Sequence, residues 1–201
     1  PRHDLSTLAV IGNLVGTALE TEDAYSALSQ EAHTDPLTGL HSRRYFDEQY
    51  RREVARARRH LRPLSMAMVD IDRLKEINDR HGHLMGDRAL EVVGQLLRDV
   101  RAGDVAARYG GDEFVVLMPE TSAEDAAVVV ERLKERLRQF NQERVLPFPL
   151  RLSFGIRELG TLGGDLLADA DAAMYQEKQR RGGPPRIDAR SGPYARLRRT
   201  G

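Results

Sequence analysis

The sequence predicts an α+β domain of sandwich-like architecture, in which helices flank a central mixed, largely antiparallel sheet. Short apolar segments alternate with amphipathic segments along the chain, which is the pattern of strands interleaved with helices. Two predicted strands are separated by Gly110 and Gly111, and adjacent glycines at positive φ favour a two-residue hairpin turn. At 201 residues the chain can form one domain with an ordinary core and an appendage.

Residues 1–34 are predicted to form a helix that precedes the domain. From Leu8 onward, apolar residues follow alternating steps of three and four, as in a coiled-coil seam, and Glu22 interrupts them. We expect this helix to be a parallel dimer stalk; a helix packed against its own domain is the alternative. The dipeptide Asp35-Pro36 is expected to end it, because a residue before proline avoids the α region.

Residues 35–182 are predicted to form the folded domain, and residues 183–201, rich in Gly, Pro and Arg, a disordered tail. The predicted elements follow from the spacing of apolar residues and from turn residues. They are a turn at 37–40, a helix at 42–61, a strand at 64–71, a short helix to about 80, a loop at 82–86, a helix to 100, the hairpin at 105–118, a helix at 123–140, a strand at 150–157 and a helix at 165–180.

Composition narrows the class of function. Basic and acidic residues number 31 each, so no net charge indicates binding to a nucleic acid polymer or an acidic membrane. Cysteine is absent, which excludes disulfides and thiolate metal sites and fits a cytoplasmic protein. No segment approaches the roughly 20 apolar residues of a membrane span. The chain begins with proline rather than methionine, so we expect a piece of a longer protein.

Acidic side chains are predicted to meet at one end of the sheet. Asp70 and Asp72 close one strand, and Asp112 and Glu113 begin the strand that leaves the glycine turn. If these strands are neighbours, up to four carboxylates converge, and Mg²⁺ or Mn²⁺ would relieve their repulsion. Carboxylate clusters of this kind serve phosphoryl or nucleotidyl transfer. A solvated hairpin with an acidic edge is the alternative interpretation.

Four short motifs follow one another along the chain: residues 35–40 (Asp-Pro-Leu-Thr-Gly-Leu), 70–79 (Asp-Ile-Asp-Arg-Leu-Lys-Glu-Ile-Asn-Asp), 82–87 (Gly-His-Leu-Met-Gly-Asp) and 110–114 (Gly-Gly-Asp-Glu-Phe). In this order and spacing they resemble the signatures of the GGDEF family, the diguanylate cyclases. The resemblance covers residues 35–182 and implies a catalytic domain behind a signalling helix. It also implies a fold similar to the palm of nucleotidyl cyclases and polymerases, and an activity that joins two GTP molecules into cyclic di-GMP and releases two pyrophosphates.

The resemblance implies a metal and catalytic centre. Two Mg²⁺ or Mn²⁺ ions per GTP site would be held by Asp70, the Ile71 carbonyl, Asp112 and Glu113. Glu113 would also help to deprotonate the ribose 3′-hydroxyl that attacks the partner's α-phosphate. Lys75 would complete the catalytic set by contacting the triphosphate.

The resemblance also implies a GTP-binding site. Asn78 and Asp87 would bind guanine, since a carboxylate can accept from both N–H groups on the Watson–Crick edge of guanine. A helix N-cap is the alternative role for Asp87. Phosphates would contact a further set, which consists of Lys75, Lys178, the backbone at Arg73 and Leu74, and the bare backbone of Gly110 and Gly111.

The segment after Lys178 departs from the family pattern. The family continues with Lys-x-x-Gly-Arg-Asn, whereas here residues 178–183 are Lys-Gln-Arg-Arg-Gly-Gly. The arginine that the family places beside the phosphates is therefore displaced, and Arg180 and Arg181 are the candidates to replace it.

An Arg-x-x-Asp sequence lies upstream of the glycine pair. Arg101 and Asp104 match the family's inhibitory site for cyclic di-GMP, and Arg132 matches a secondary arginine of that site. Guanidinium groups suit both phosphates and the guanine edge. A surface ion pair between Arg101 and Asp104 is the alternative.

The resemblance further implies a homodimer, because each chain would bind one GTP and carry half of an active site. A sensor domain upstream would control the stalk. Two other functions are compatible with the motifs: a degenerate GGDEF domain that binds GTP or cyclic di-GMP without turnover, and a cyclase or polymerase-like enzyme that uses another nucleotide.

Overall fold

The computed structural model describes residues 33–160 and 164–181. Within them, one sheet has the strand order β1-β3-β4-β2-β5. The strands are β1 (His41–Ser42), β2 (Leu64–Ile71), β3 (Val105–Arg108), β4 (Glu113–Pro119) and β5 (Leu152–Glu158). β1 is parallel to β3, and the other adjacent pairs are antiparallel. Residues 1–32 of the predicted stalk and the whole of the predicted tail lie outside the described residues.

Helices cover both faces of this sheet. They are α1 (Arg43–His60), α2 (Leu74–His81), α3 (His83–Arg98), α4 (Ala123–Glu143) and α5 (Leu166–Arg180). One core lies between the sheet and α3 and α4, and a second lies between the sheet and α1 and α5. Within the two described ranges, no helix is both long and apolar enough to span a bilayer.

Strand β2 lies in the centre of the sheet, and all eight of its residues are buried. Its side chains alternate between the two cores: Val69 packs in the α3/α4 core and Met68 in the α1/α5 core. Two-sided burial explains why the strand is a continuous apolar run. The same alternation directs Asp70 to the face covered by α1 and α5.

A close approach fixes α5 against β5. A Cβ atom on Gly155 would lie 2.1 Å from the backbone nitrogen of Met174 and 2.2 Å from the carbonyl oxygen of Ala170. Only glycine accommodates this distance, so Gly155 allows α5 to pack directly on the sheet. That packing places Lys178, in the last turn of α5, near the end of β2.

Two predictions about glycines are wrong. The predicted loop at residues 82–86 is mostly helix: Gly82 alone, at φ 82°, separates α2 from α3, which begins at His83. The pair Gly110 and Gly111 does not adopt positive φ. Instead, the N–H groups of Tyr109 and Gly110 both donate to the Glu113 carbonyl, so the turn is wider than the predicted two residues.

Candidate active site

Acidic residues from β2 and β4 lie together at one end of the sheet. Asp70 is directly opposite Glu113 in the antiparallel register, so the two side chains share a face. The Ile71 N–H donates to the Asp112 carbonyl over 3.1 Å, which holds the start of β4 against the end of β2. The structure therefore brings Asp70, Asp112 and Glu113 together.

The fourth predicted carboxylate, Asp72, is tied to β5. Its Oδ1 accepts from the Ser153 hydroxyl over 2.7 Å, and its N–H donates to the Arg151 carbonyl over 2.9 Å. Ser153 itself lies opposite Asp70 on the other side of β2. Asp72 therefore links the acidic end of β2 to the start of β5.

Lys178 supplies positive charge to this end of the sheet. Its Nζ lies 2.5 Å from Oδ1 of Asp70, in a contact where the Asp70 side chain is only 7% exposed. Burial raises the pKa of Asp70 to about 7; the Lys178 contact opposes the shift, and the charges of Asp112 and Glu113 add to it. Lys178 thus does not fully compensate the neighbouring carboxylates.

The chemistry of these donors fits a hard divalent cation. Asp70, Asp112, Glu113 and the Ile71 carbonyl offer only oxygen atoms, which Mg²⁺ and Mn²⁺ prefer. The raised pKa of Asp70 indicates a site that would gain from more positive charge. Among residues 33–160 and 164–181, no three His, Cys, Asp or Glu side chains surround a common point. Metal binding would therefore require these side chains to be reoriented.

The two glycines of the turn serve different purposes. A Cβ atom on Gly110 would lie 2.7 Å from Oε2 of Glu113, whereas one on Gly111 would meet no atom of residues 33–160 or 164–181 within 4 Å. Gly110 therefore makes room for the Glu113 carboxylate. Gly111 leaves open space at the tip of the turn.

The predicted guanine-binding residues lie on consecutive helices. Asn78 is on α2, and its Oδ1 is buried without a hydrogen-bond partner among the described residues. A Cβ atom on Gly86 would lie 1.9 Å from that oxygen, so glycine there makes room for the amide. Asp87 is exposed and lies inside α3, whose N-cap is Gly82, so the alternative role of Asp87 as an N-cap is wrong. An unpaired buried acceptor costs free energy that a ligand donor would recover.

The predicted phosphate contacts lie at the start of α2 and the end of α5. Arg73 adopts the left-handed conformation at the N-terminus of α2, and Leu74 is buried below it. Lys75 is exposed, without a hydrogen-bond or ion-pair partner in the described part of the chain. Its ammonium is therefore accessible to an anion.

Arg181, rather than Arg180, lies on the side of Lys178. Arg181 and Lys178 line the same cavity, whereas Arg180 lines another beside Gly155. The guanidinium of Arg181 donates to the Leu152 carbonyl over 3.1 Å and lies 2.7 Å from Glu177.

The predicted inhibitory-site residues also lie close to one another, at the end of β3 remote from the glycine turn. Arg101 donates to Asp104 over 3.2 Å and also to the Pro119 carbonyl. The Asp104 side chain is 2% exposed, and burial raises its pKa against the opposing charges of Arg101 and Arg132.

One contact near the site was missed by sequence reasoning. Arg108 lies 3.3 Å from Asp35, and its other terminal nitrogen donates to the Gly111 carbonyl over 2.8 Å. Asp35 also accepts from the N–H and hydroxyl of Thr38. Arg108 thus connects the turn at residues 35–38 to the glycine turn. The Asp-x-x-Thr spacing signalled the local turn, but not its distant partner.

A family model described as "Diguanylate cyclase, GGDEF domain" matches residues 32–183. The chain belongs to the GGDEF family. This match confirms the relationship that the four sequence motifs indicated.

Curated relatives of this GGDEF domain include several diguanylate cyclases. "Diguanylate cyclase DgcP" of Pseudomonas aeruginosa is 41% identical over 157 residues, which cover 75% of the chain and 23% of the relative. "Probable diguanylate cyclase DgcC" of Escherichia coli is 34% identical over 81% of the chain and 45% of its own length. "Response regulator PleD" of Caulobacter vibrioides is 41% identical over 73% of the chain and 34% of its own length. The chain therefore spans less than half the length of these relatives.

Solved GGDEF structures share the fold. The GGDEF domain of DgcB from Caulobacter crescentus, in complex with c-di-GMP, superposes with a TM-score of 0.69 at 31% identity, covering 76% of this chain and 90% of that one. A structure of the coiled coil and GGDEF domain of the same protein, also with c-di-GMP, has a TM-score of 0.73 at 29% identity, covering 87% and 95%. These similarities confirm the predicted fold.

Proposed function

We propose that this GGDEF domain is a diguanylate cyclase, which joins two GTP molecules into cyclic di-GMP and releases two pyrophosphates. The observation that carries the proposal is the pairing of Asp70 with Glu113 across β2 and β4, with Asp112 beside them. Relatives over most of the chain are named diguanylate cyclases, which supports the same activity.

Asp70, the Ile71 carbonyl, Asp112 and Glu113 would hold two Mg²⁺ or Mn²⁺ ions for each GTP. When bound, the ions neutralise phosphate charge and lower the pKa of the attacking hydroxyl. Lys178 already contacts Asp70, so the ammonium and the ions would share the negative charge of the site.

The residues of the chain would hold and orient GTP. Asn78 and Asp87 bind the guanine edge, and a donor on the base would satisfy the Oδ1 of Asn78, which has no partner among the described residues. Lys75 and Lys178 bind the triphosphate. Glu113, with Oε2 over Gly110, accepts the proton of the ribose 3′-hydroxyl.

Catalysis would require two copies of the chain. Each copy binds one GTP, and the two must face each other so that each 3′-hydroxyl lies in line with the other's α-phosphorus. A stalk formed by residues 1–34 would raise the effective concentration of this encounter, under control of an upstream sensor. The likeness to a structure that contains a coiled coil and a GGDEF domain supports this arrangement. We place the reaction in the cytoplasm, where GTP is available.

Cyclic di-GMP would inhibit the enzyme at a second site. Arg101, Asp104 and Arg132 lie close enough to influence one another electrostatically, which supports a joint binding site for the product. Guanidinium groups there would contact phosphate and guanine, and Asp104 would accept from the base.

The direct test incubates the purified chain with GTP and Mg²⁺ and resolves the products by chromatography. Cyclic di-GMP from wild type, and none from Asp70→Asn, is the expected result. Binding of GTP or cyclic di-GMP without turnover would instead identify a receptor. Parallel incubation with ATP tests the choice of base, since an equal product yield would contradict guanine recognition.

A further inference from the structure

A cavity of about 820 Å³ opens between α2 and the segment that precedes β5. Lys178, which contacts Asp70, lines one part of it. Phe148 and Pro149 contribute an apolar wall, where the His81 ring lies 4.8 Å from that of Phe148. The volume is in the range of small-molecule sites, about 300–1,000 Å³.

Positive charge dominates this cavity although the chain as a whole is neutral. Five basic side chains line it against two acidic ones. Both acidic groups have partners: Asp72 accepts from Ser153, and Glu76 lies 3.5 Å from Arg73. A concave surface of one charge concentrates oppositely charged ligands. The basic residues are Arg73, Arg80, Arg151, Lys178 and Arg181.

Two of these cations are unsatisfied. The guanidinium groups of Arg80 and Arg151 make no hydrogen bond or ion pair with any residue that the structure describes. They come from different elements, α2 and the segment before β5, so the fold brings them to one cavity. Guanidinium groups bind phosphate oxygens in bidentate geometry. Neither arginine belongs to the residues assigned to GTP above.

We propose that this cavity binds a diphosphate or triphosphate group through Arg80 and Arg151, two residues outside the substrate contacts, at a site that adjoins those contacts through Lys178. Two sources would supply that chemistry. One is pyrophosphate leaving the neighbouring catalytic site; the other is the tail of a second nucleotide, with its base against His81 and Phe148. Anion binding follows from the charge of the cavity alone, whereas the assignment to pyrophosphate rests on the proposed function.

The test measures pyrophosphate binding to the full chain by calorimetry without divalent cations, so that metal-dependent binding does not contribute. The double variant Arg80→Gln/Arg151→Gln is compared with wild type. The matched control is Arg52→Gln/Arg59→Gln, two exposed α1 arginines that do not line the cavity. We expect about tenfold or greater weakening in the double variant, because two charge-assisted contacts are lost, and wild-type affinity in the control. Circular dichroism verifies that each variant is folded.

Equal affinity in wild type and the double variant, or no pyrophosphate binding by wild type at millimolar concentration, would overturn the proposal. A non-hydrolysable GTP analogue distinguishes the sources. If wild type binds two equivalents of the analogue and the double variant binds one, the natural ligand of the cavity is a nucleotide. If both proteins bind one equivalent, the ligand is pyrophosphate. If wild type binds pyrophosphate through these arginines but forms no cyclic di-GMP, the proposed function fails and this site remains.

Discussion

The Nζ of Lys178 lies 2.5 Å from Oδ1 of Asp70, joining the last turn of α5 to the end of β2. The contact is largely shielded from solvent, yet the pKa of Asp70 is raised to about 7, because burial and the charges of Asp112 and Glu113 outweigh the ammonium. The negative charge of the carboxylates at this end of the sheet therefore exceeds the positive charge that Lys178 supplies. The excess negative charge at this end of the sheet favours a cationic ligand, as proposed.

Asp70→Asn is expected to change how the stability of the metal-free chain depends on pH. The pKa of Asp70 is about 7 in the folded chain and about 4 when unfolded. Its stabilising contribution is therefore present below pH 4 and is lost as pH rises through 7. Wild type should lose stability relative to the variant between about pH 4 and about pH 7 and change little above that range. Urea denaturation in EDTA measures this, and a constant difference between the two proteins would contradict it.

Glu113→Gln is expected to reduce kcat for cyclic di-GMP formation by a factor on the order of 100 or more, because the proton acceptor is lost. Glutamine preserves size, and the backbone pairing of residue 113 with Asp70 does not depend on the carboxylate. The melting temperature should therefore remain near that of wild type. Glu135→Gln, an exposed change on α4, is the control. Comparable turnover in both variants would contradict the role of Glu113 as the proton acceptor.

Strands could be predicted where the apolar pattern is long. Strand β2 has its predicted bounds, Leu64–Ile71, because burial on both faces leaves a continuous apolar run. The two-residue strand β1 has no periodicity to detect, and its pairing with β3 depends on residues far along the chain. Gly86 favoured a loop by its local preference, but packing against Asn78 keeps it within α3.

The site residues, like the strands, could be predicted only where a sequence pattern marks their positions. Asp70 and Glu113 could be brought together in advance because both stand at strand ends, and pairing fixes such positions. The contact of Arg108 with Asp35 could not, since the two residues are 73 positions apart and neither is marked by a periodic pattern. Contacts of that kind depend on how the elements pack, which short sequence windows do not encode.

Gly86→Ala is expected to separate helix stability from base recognition. Alanine favours a helix interior by about 1 kcal/mol over glycine, but its Cβ would lie 1.9 Å from Oδ1 of Asn78 and force that amide to move. The KM for GTP should rise several-fold while the melting temperature changes little. Leu84→Ala, at an exposed position of the same helix, is the control. An unchanged KM for Gly86→Ala would mean that Asn78 does not bind the base as proposed.

Arg108 and Asp35 are expected to be energetically coupled. The pair is 19% exposed on each side, so Arg108→Gln should cost about 1 kcal/mol of folding free energy, less than a fully buried charged hydrogen bond. Loss of the contact to the Gly111 carbonyl should also lower kcat. Asp35→Asn retains an acceptor for Thr38, and the double variant should cost less than the sum of the singles. Urea denaturation measures the cycle; strict additivity would contradict the coupling.

Arg101→Ala is expected to weaken inhibition by accumulated cyclic di-GMP. Arg101 donates to Asp104 and to the Thr121 hydroxyl, and the Asp104 carboxylate behind it is almost fully buried. In the proposed product site, removing the guanidinium would take away a phosphate contact and the charge that opposes the burial-raised pKa of Asp104. The inhibition constant for added cyclic di-GMP should rise about tenfold or more, with initial rates before product accumulates as the reference.

A structural effect of Arg101 must be separated from a binding effect. Arg138→Ala removes an arginine of similar exposure from an ion pair with Glu135 on α4, and should leave the inhibition constant unchanged. Arg101→Lys retains the positive charge but cannot form bidentate hydrogen bonds. Its inhibition constant should therefore fall between those of wild type and the alanine variant. If cyclic di-GMP inhibits wild type and Arg101→Ala equally, the contact with Asp104 is only a surface ion pair, and product control must act elsewhere.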